Sequence, residues 1–410
     1  LQGCANRRTA NNKERERMSQ TISRRTLLKD LCGTAAAGII APRLAGTSPL
    51  LQEQEEHNGS RAAMFRIARA FMVKYSVPGM SIAITRRGKF VYEHHFGMVD
   101  KDAAQQVLAT SLFRIASVTK PITSVTVFSL IEKGRLNLND KVFGASGILG
   151  TQYGKTPYGQ YVTDITVDHL LTHTCGGWPN DSTDPMFRFD SWDHAKLIGW
   201  TLQNLPLRYP PGQHWAYSNF GYCLLGRVIE QVTGQPYADY VQANILAPCG
   251  ISDMRIAGNK LNQRAVNEVV YYGQYGEDPY KMNVTRMDSH GGWIATPSDL
   301  AIFLDHVAGA GNVPGLLKPE TITTMTTPSP AYPQGAAGKY ARGWMVRDNG
   351  AGNWWHSGSL PGTTTIMVHT ATGLCWAALA NTRTEPSDEI GTAIDNMVWD
   401  MVHQVPAWGA

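Results

Sequence analysis

Strand-patterned segments stand near both ends of a chain of 410 residues, and a long stretch of helical patterning separates them. "GMSIAITRRGKFVYEHHFG" (79–97) alternates apolar and polar residues about Gly88, as a β-hairpin does. Near the other end "RGWMVRD", "NWWHSGS", "TTTIMVHTATG" and "LCWAALAN" return to that patterning, and "SDEIGTAIDNMVWDMVHQV" closes the chain as a helix. Strands so distant in sequence bury their apolar faces together only in one sheet assembled from both ends. The expected fold class is therefore α+β: an antiparallel sheet from about 79–100 and 340–382, flanked by helices, with an inserted helical region at about 117–325. Within the insert, "VTKPITSVTVFSLIEKG", "TVDHLLTH", "HAKLIGWTLQNL", "GYCLLGRVIEQVTG", "YADYVQANIL" and "PSDLAIFLDHVAG" read as helices. Gly134, Gly234 and Gly309 stand where C-caps belong.

Charge divides the chain differently. Up to Ala45 there are nine Lys/Arg against three Asp/Glu, and beyond it 28 against 30. The body carries no basic bias, so nucleic acid is not an expected partner. The basic head, "MSQTISRRTLLKD" followed by "LCGTAAAGIIAPRLAG", has charged and apolar regions in signal-peptide order. Ser23-Arg24-Arg25-Thr26-Leu27-Leu28-Lys29 resembles a twin-arginine export signal, which implies a periplasmic or extracellular protein; the residues ahead of Met18 read as upstream of the natural start. The expected division is an extension with export signal over 1–45, a polar linker over 46–70 and a catalytic domain over 71–405. No run reaches the eighteen or so apolar residues of a membrane span. Cys175, Cys223, Cys249 and Cys375 show no CxxC or zinc-type spacing and read as buried free thiols, with a disulfide left open by an oxidising compartment.

Ser117 precedes Lys120 by three residues at the start of a predicted helix, so the two side chains share a face. A serine hydroxyl attacks only when a base takes its proton and donors meet the developing oxyanion. The chain has no G-x-S-x-G elbow, H-E-x-x-H, Walker loop or dinucleotide fingerprint. Ser-x-x-Lys occurs once, with the serine in the first helical turn, where its own N–H points outward toward an anion.

"SVTKPITSVTVFSLIEKGRLNLNDKV", "ITVDHLLTHTCGG", "YPPGQHWAYSNFGYCLLGRVIEQVTGQPYADYVQANILAPCGISDMR", "GGWIATPSDLAIFL" and "HSGSLPGTTTIMV" resemble, in order, the landmarks of the serine β-lactamase/penicillin-binding-protein superfamily. The nearest resemblance is to its class C-like group, which includes carboxylesterases and D-amino-acid peptidases. It runs from about Val77 to the last helix and implies acyl transfer without a cofactor. It makes Ser117 the nucleophile, Lys120 its partner and Tyr217-Ser218-Asn219 the second element, with a tyrosine where the Ser-Asp-Asn form has serine. Tyr217 and Lys120 are expected to act as a coupled pair, through a neutral lysine or a phenolate held by a cation.

Between His290-Gly291-Gly292 and His356-Ser357-Gly358, the second lies in a strand-like run near the C-terminus, where the resemblance places the third element. The implied oxyanion and substrate-binding residues are thus Ser359, Asn219, His356 and Gly358, with the Ser359 N–H opposite that of Ser117. His169 and His173 stand at metal-ligand spacing, but the family carries "HLLTH" as scaffold, so no metal is expected. His356 stands where penicillin-interacting relatives carry lysine and is mostly neutral at pH 7. That favours a small-molecule ester or amide over a β-lactam or D-Ala-D-Ala peptide, unless Arg342 or Arg347 restores a cation. A silent binding or scaffold protein is the alternative from another class. The aromatics of "GGWPNDSTDPMFRFDSW" and "VVYYGQYGEDPYKM" either line a substrate cleft or pack loops.

Overall fold

The computed structural model describes residues 49–333, 338–347, 352–406 and 408, with side chains from Gly59 onward. The twin-arginine-like stretch Ser23–Lys29 lies outside the described residues. The chain divides into two units, Leu1–Gln52 and Glu53–Ala410, and every side chain below belongs to the second.

Chain order begins with helix α1 (Pro49–Lys74), which takes up most of the stretch read as linker over 46–70. Glu and Gln in its first half are good helix formers. Met64, Ala68, Phe71 and Tyr75 then recur at helical spacing as one buried stripe. The stripe joins the cluster that holds Ile390, Ile394 and Met397 of the last helix. Strands β1 (Gly79–Arg86) and β2 (Lys89–Asp100) form the predicted hairpin. Arg87 and Gly88 at its tip have φ of 50° and 79°, as a two-residue turn matched to strand twist demands. Strand β3 (Gln105–Gln106) ends that edge, and β4 (Phe113–Arg114) leads into helix α2 (Thr119–Glu132).

The insert continues with α3 (Val167–Leu171), α4 (His194–Asn204), α5 (Asn219–Thr233) and α6 (Tyr237–Val241). Between Gly250 and Ala295, inside the expected helical region, the chain instead makes turns and the short strands β5 (Arg255–Ile256), β6 (Tyr272–Gly273) and β7 (Trp293–Ala295). Long-range bonds fix this course: Arg114, fully buried, donates to the carbonyls of Pro279 at 2.7 Å and Gly258 at 3.1 Å. Helices α7 (Pro297–Ala308) and α8 (Pro319–Thr326) complete the insert. Gly234 and Gly309 are left-handed C-caps.

The remaining strands are β8 (Gly338–Tyr340), β9 (Met345–Arg347), β10 (Trp354–Leu360), β11 (Thr363–His369), β12 (Leu374–Ala380) and β13 (Thr382–Arg383), followed by α9 (Ser387–Val402). The main sheet has the order β3-β2-β1-β12-β11-β10-β9-β8, so both ends of the folded body meet where β1 pairs antiparallel with β12. Strand β9 pairs with β10 only at Trp354 and Trp355, and that edge of β10 beyond them faces the segment that carries Ser117. Cys175, Cys223, Cys249 and Cys375 are buried and unpaired. No helix among the described residues is long and apolar enough to cross a membrane.

Candidate active site

A 3₁₀ turn over Ala116–Val118 joins β4 to α2 and holds Ser117, half-buried, at the helix start. Ala116 has φ of 49°, a left-handed conformation that a residue with a Cβ rarely takes and that places strain beside the serine. Every residue of α2 from Thr119 to Leu130 is buried. The helix is enclosed all round, which fixes Ser117 and Lys120 on a rigid support.

Lys120 Nζ lies 3.0 Å from Ser117 Oγ, 2.8 Å from Asn219 Oδ1 and 3.0 Å from the carbonyl oxygen of His290. Burial holds this amine well below its usual value, with Asp184 pulling weakly the other way. Asn219 is the first residue of α5, whose N-cap Ser218 accepts from Gly221 N–H. Its Nδ2 donates to Asp184 Oδ2 at 2.8 Å and to Asn180 Oδ1 at 3.0 Å. Both N–H bonds of the Asn219 side chain are thus spent on the protein, and its oxygen faces Lys120.

The Ser117 side chain acts to lower the Tyr217 phenol, but burial is the larger effect and pushes it up. Lys120 Nζ sits 4.7 Å from the centre of the Tyr217 ring. These opposite displacements favour a neutral amine beside a neutral phenol, and they disfavour the ammonium–phenolate form of the expected pair. The Tyr217 ring packs on His173 at 4.2 Å between centroids. His173 Nδ1 accepts from Ser218 N–H at 3.1 Å, and His169 Nδ1 accepts from Thr166 N–H in the capping box of α3. Both histidines of "HLLTH" therefore serve the scaffold.

Strand β10 passes close to this group. A Cβ on Gly358 would lie 2.3 Å from the Ile115 carbonyl oxygen, 2.3 Å from Thr365 Oγ1 and 3.1 Å from Ala116 Cβ. Only glycine lets the strand approach the turn before Ser117 so nearly. Thr365 Oγ1 ties the two together by donating to the Ile115 carbonyl at 2.9 Å. Ser359, next along, is exposed. His356, two residues before Gly358, has both ring nitrogens engaged within the protein. It is 4 % exposed, its Nδ1 is 2.7 Å from the Ser357 carbonyl oxygen, and its Nε2 is 3.2 Å from the Tyr340 hydroxyl. With Nδ1–H donating and Nε2 accepting, the ring is neutral, and burial takes it down to about 3.

The sequence profile of the beta-lactamase family matches residues 64–396. The chain belongs to that family. Penicillin-binding protein 4* of Bacillus subtilis (strain 168) is 27% identical over 78% of this chain and 72% of its own length. Protein flp of Staphylococcus aureus (strain N315) is 26% identical over 76% of this chain, which spans 61% of it, less than two thirds. Among solved structures, D-amino acid amidase from Ochrobactrum anthropi SV3, complexed with L-phenylalanine amide, superposes with a TM-score of 0.69 at 22% identity, over 84% of this chain and 99% of that one. The octameric penicillin-binding protein homologue from Pyrococcus abyssi gives 0.67 at 24%, over 82% and 77%. The fold is that of the β-lactamase-type serine hydrolases.

Within this beta-lactamase-family site, several contributors carry no motif. Asp184 and Asn180 come from the loop after α3, and His290 contributes a main-chain oxygen from the H-x-G set aside in the sequence. Arg286, itself buried, clamps the loop by donating to the carbonyls of Met186 at 3.0 Å and of Arg188, Phe189 and Trp192 at 2.8 Å. The loop aromatics mostly pack it: Phe189 stacks on Trp192 at 3.9 Å and Trp178 meets Phe220 edge-on at 4.9 Å. Tyr271 and Tyr280 likewise flank the Arg114 guanidinium.

Proposed function

We propose that this protein is a serine hydrolase that cleaves small esters or uncharged amides through an acyl-enzyme on Ser117, with neutral Lys120 as the base. The observation that carries this is the set of three partners around Lys120 Nζ. Asn219 Oδ1 and the His290 carbonyl only accept, so they take the two N–H bonds of a neutral amine. The lone pair is left directed at Ser117 Oγ, 3.0 Å away, and receives its proton as the oxygen attacks. The carbonyl oxygen then collects charge between the N–H groups of Ser117 and Ser359, each such donor contributing roughly 3 kcal/mol in the transition state. As the adduct collapses, the Lys120 ammonium passes its proton on through the Tyr217 phenol, which gives one proton to the leaving group as it receives the other, so both side chains end neutral. Water repeats the sequence on the acyl-enzyme.

The three side chains that could have met a substrate carboxylate are otherwise engaged, which supports the substrate class. His356 is neutral. Arg342 is committed to Asp168 at 2.5 Å and to the carbonyls of Thr324 and Thr327. Arg347 is paired with Asp395 and lies against Trp355 and Trp399. A cleft of about 500 Å³ between β10 and the start of α9 includes Ser357, Ser359, Asp388, Thr392 and Asp395 in its lining. Asp388 adds a carboxylate there and Asp395 is neutralised by Arg347, so this lining suits neutral groups better than a free carboxylate. The twin-arginine-like stretch adds the reading that this chemistry takes place outside the cytoplasm.

A fluorophosphonate probe separates the hydrolase from a silent binding protein. Wild type is expected to be labelled and Ser117→Ala not; equal labelling of the two removes Ser117 as the nucleophile. A panel of p-nitrophenyl acetate, nitrocefin and D-amino-acid amides then tests the substrate class, with the ester turned over fastest.

A further inference from the structure

We propose that Asp184 is a positioning residue of this site, fixing through Asn219 the direction in which the Lys120 lone pair points. The inference rests on Lys120 as the base and extends it to a residue that never meets substrate. A carboxamide has an accepting end and a donating end, and a neutral amine, which both donates and accepts, does not by itself choose between them. Asp184 makes the choice where it is ionised, above a titration that burial raises to about 6, because a carboxylate without its proton only accepts. It is 2 % exposed, with Oδ1 2.8 Å from the Met186 N–H and Oδ2 2.8 Å from Asn219 Nδ2. Asn180 Oδ1 claims the same nitrogen at 3.0 Å. With its nitrogen held from that side, Asn219 turns its oxygen to Lys120, 2.8 Å away. Lys120 spends one N–H there and a second on the His290 carbonyl, and Ser117 receives the remaining direction.

Rotating the Asn219 amide by half a turn sets its oxygen against the Asp184 carboxylate. It also offers an N–H to the Lys120 lone pair, which draws that pair away from Ser117. The other titratable groups around Lys120 are His173, His290 and His356, each pushed down by burial, and the buried phenols Tyr217 and Tyr222. Asp184 is the anion among them, and its charge favours the protonated form of Lys120.

Asp184→Asn tests the proposal in the full chain, because an amide has one oxygen for two donors and must turn an N–H toward Met186 or Asn219. Turnover of p-nitrophenyl acetate is expected to fall by about tenfold or more, as a misaligned base requires, with KM nearly unchanged. The acidic limb of kcat/KM is expected to move to lower pH. In an Asn219→Ala background the same substitution should cost little more. Independent, multiplying losses in the two backgrounds, with an unmoved acidic limb, overturn the proposal and leave Asp184 a merely structural residue. If wild type turns over no ester, the hydrolase reading fails separately. Asp184 is then judged by the NMR titration of Lys120 Cε, which must differ between wild type and Asp184→Asn and which overturns the proposal if identical. Asp184→Ser takes the place of Asp184→Asn in every arm should the latter not fold.

Discussion

Gly358→Ala tests the approach of β10 to the nucleophile. The added methyl would stand 2.3 Å from both the Ile115 carbonyl oxygen and Thr365 Oγ1, whereas non-bonded carbon contacts settle near 3.5 Å. Strand and turn must therefore separate by roughly 1 Å, since main-chain atoms cannot swing aside as a flexible side chain would. Ser359 follows Gly358 and Ser117 follows Ala116, so the separation opens the gap between the two N–H groups assigned to the oxyanion. A hydrogen bond stretched from about 2.9 Å by that much is effectively lost, and loss of one such donor costs about 100-fold to 1,000-fold in kcat. Overpacking adds about 1–3 kcal/mol of destabilisation, which leaves a protein of this size folded at 25 °C. The assay is steady-state hydrolysis of p-nitrophenyl acetate, with thermal unfolding followed in parallel. The expected result is kcat down by about 100-fold or more, KM within a few-fold of wild type and a lowered but cooperative Tm. Wild-type kcat in a folded Gly358→Ala protein would refute the placement of the oxyanion donors.

Tyr217→Phe keeps the ring that packs on His173 and removes only the hydroxyl. Its kcat should fall about a hundredfold, the lower end of acid–base effects, while the acidic limb of kcat/KM stays in place; a vanished limb would make Tyr217 the titrating base. Lys120→Met should abolish turnover and change how stability responds to pH. Folded Lys120 loses its proton at lower pH than the unfolded side chain, so the unfolded state binds more protons between those two values. Wild-type stability must then rise with pH through that window, up to the usual lysine range, relative to Lys120→Met. Urea unfolding of both proteins at a series of pH values measures the difference, and parallel curves would show that Lys120 is not held neutral by burial.

The strands and most helices were legible because each carries its burial pattern locally. Strand β12 is apolar throughout and buried throughout, and α5 starts at a serine cap and stops at Gly234. The course from Gly250 to Ala295 was not legible, since partners far away in sequence, such as Arg114, determine it. The second half of helix α1, within "MFRIARAFMVKYSV", shows a helical pattern in the sequence, whereas its polar first half gives no apolar stripe and reads as linker.

The site divides along the same line. Ser117 and Lys120 could be found because a helix converts a spacing of three into a shared face, and Tyr217 because the family pattern singles it out. Asp184 and Asn180 stand on a loop whose path is set by Arg286, about a hundred residues away, and the His290 carbonyl has no side-chain signature at all. A sequence does not say whether a ring nitrogen already has a partner, and the two bonds made by His356 are visible only in the fold. The groups proposed to transfer protons are thus encoded as residue types at fixed spacings. The groups proposed to direct the transfer are acceptors placed by tertiary contacts: a carbonyl oxygen, a carboxamide and a carboxylate. A serine and a lysine three residues apart would be an ordinary surface pair without them, because nothing else orients the amine's lone pair toward the hydroxyl.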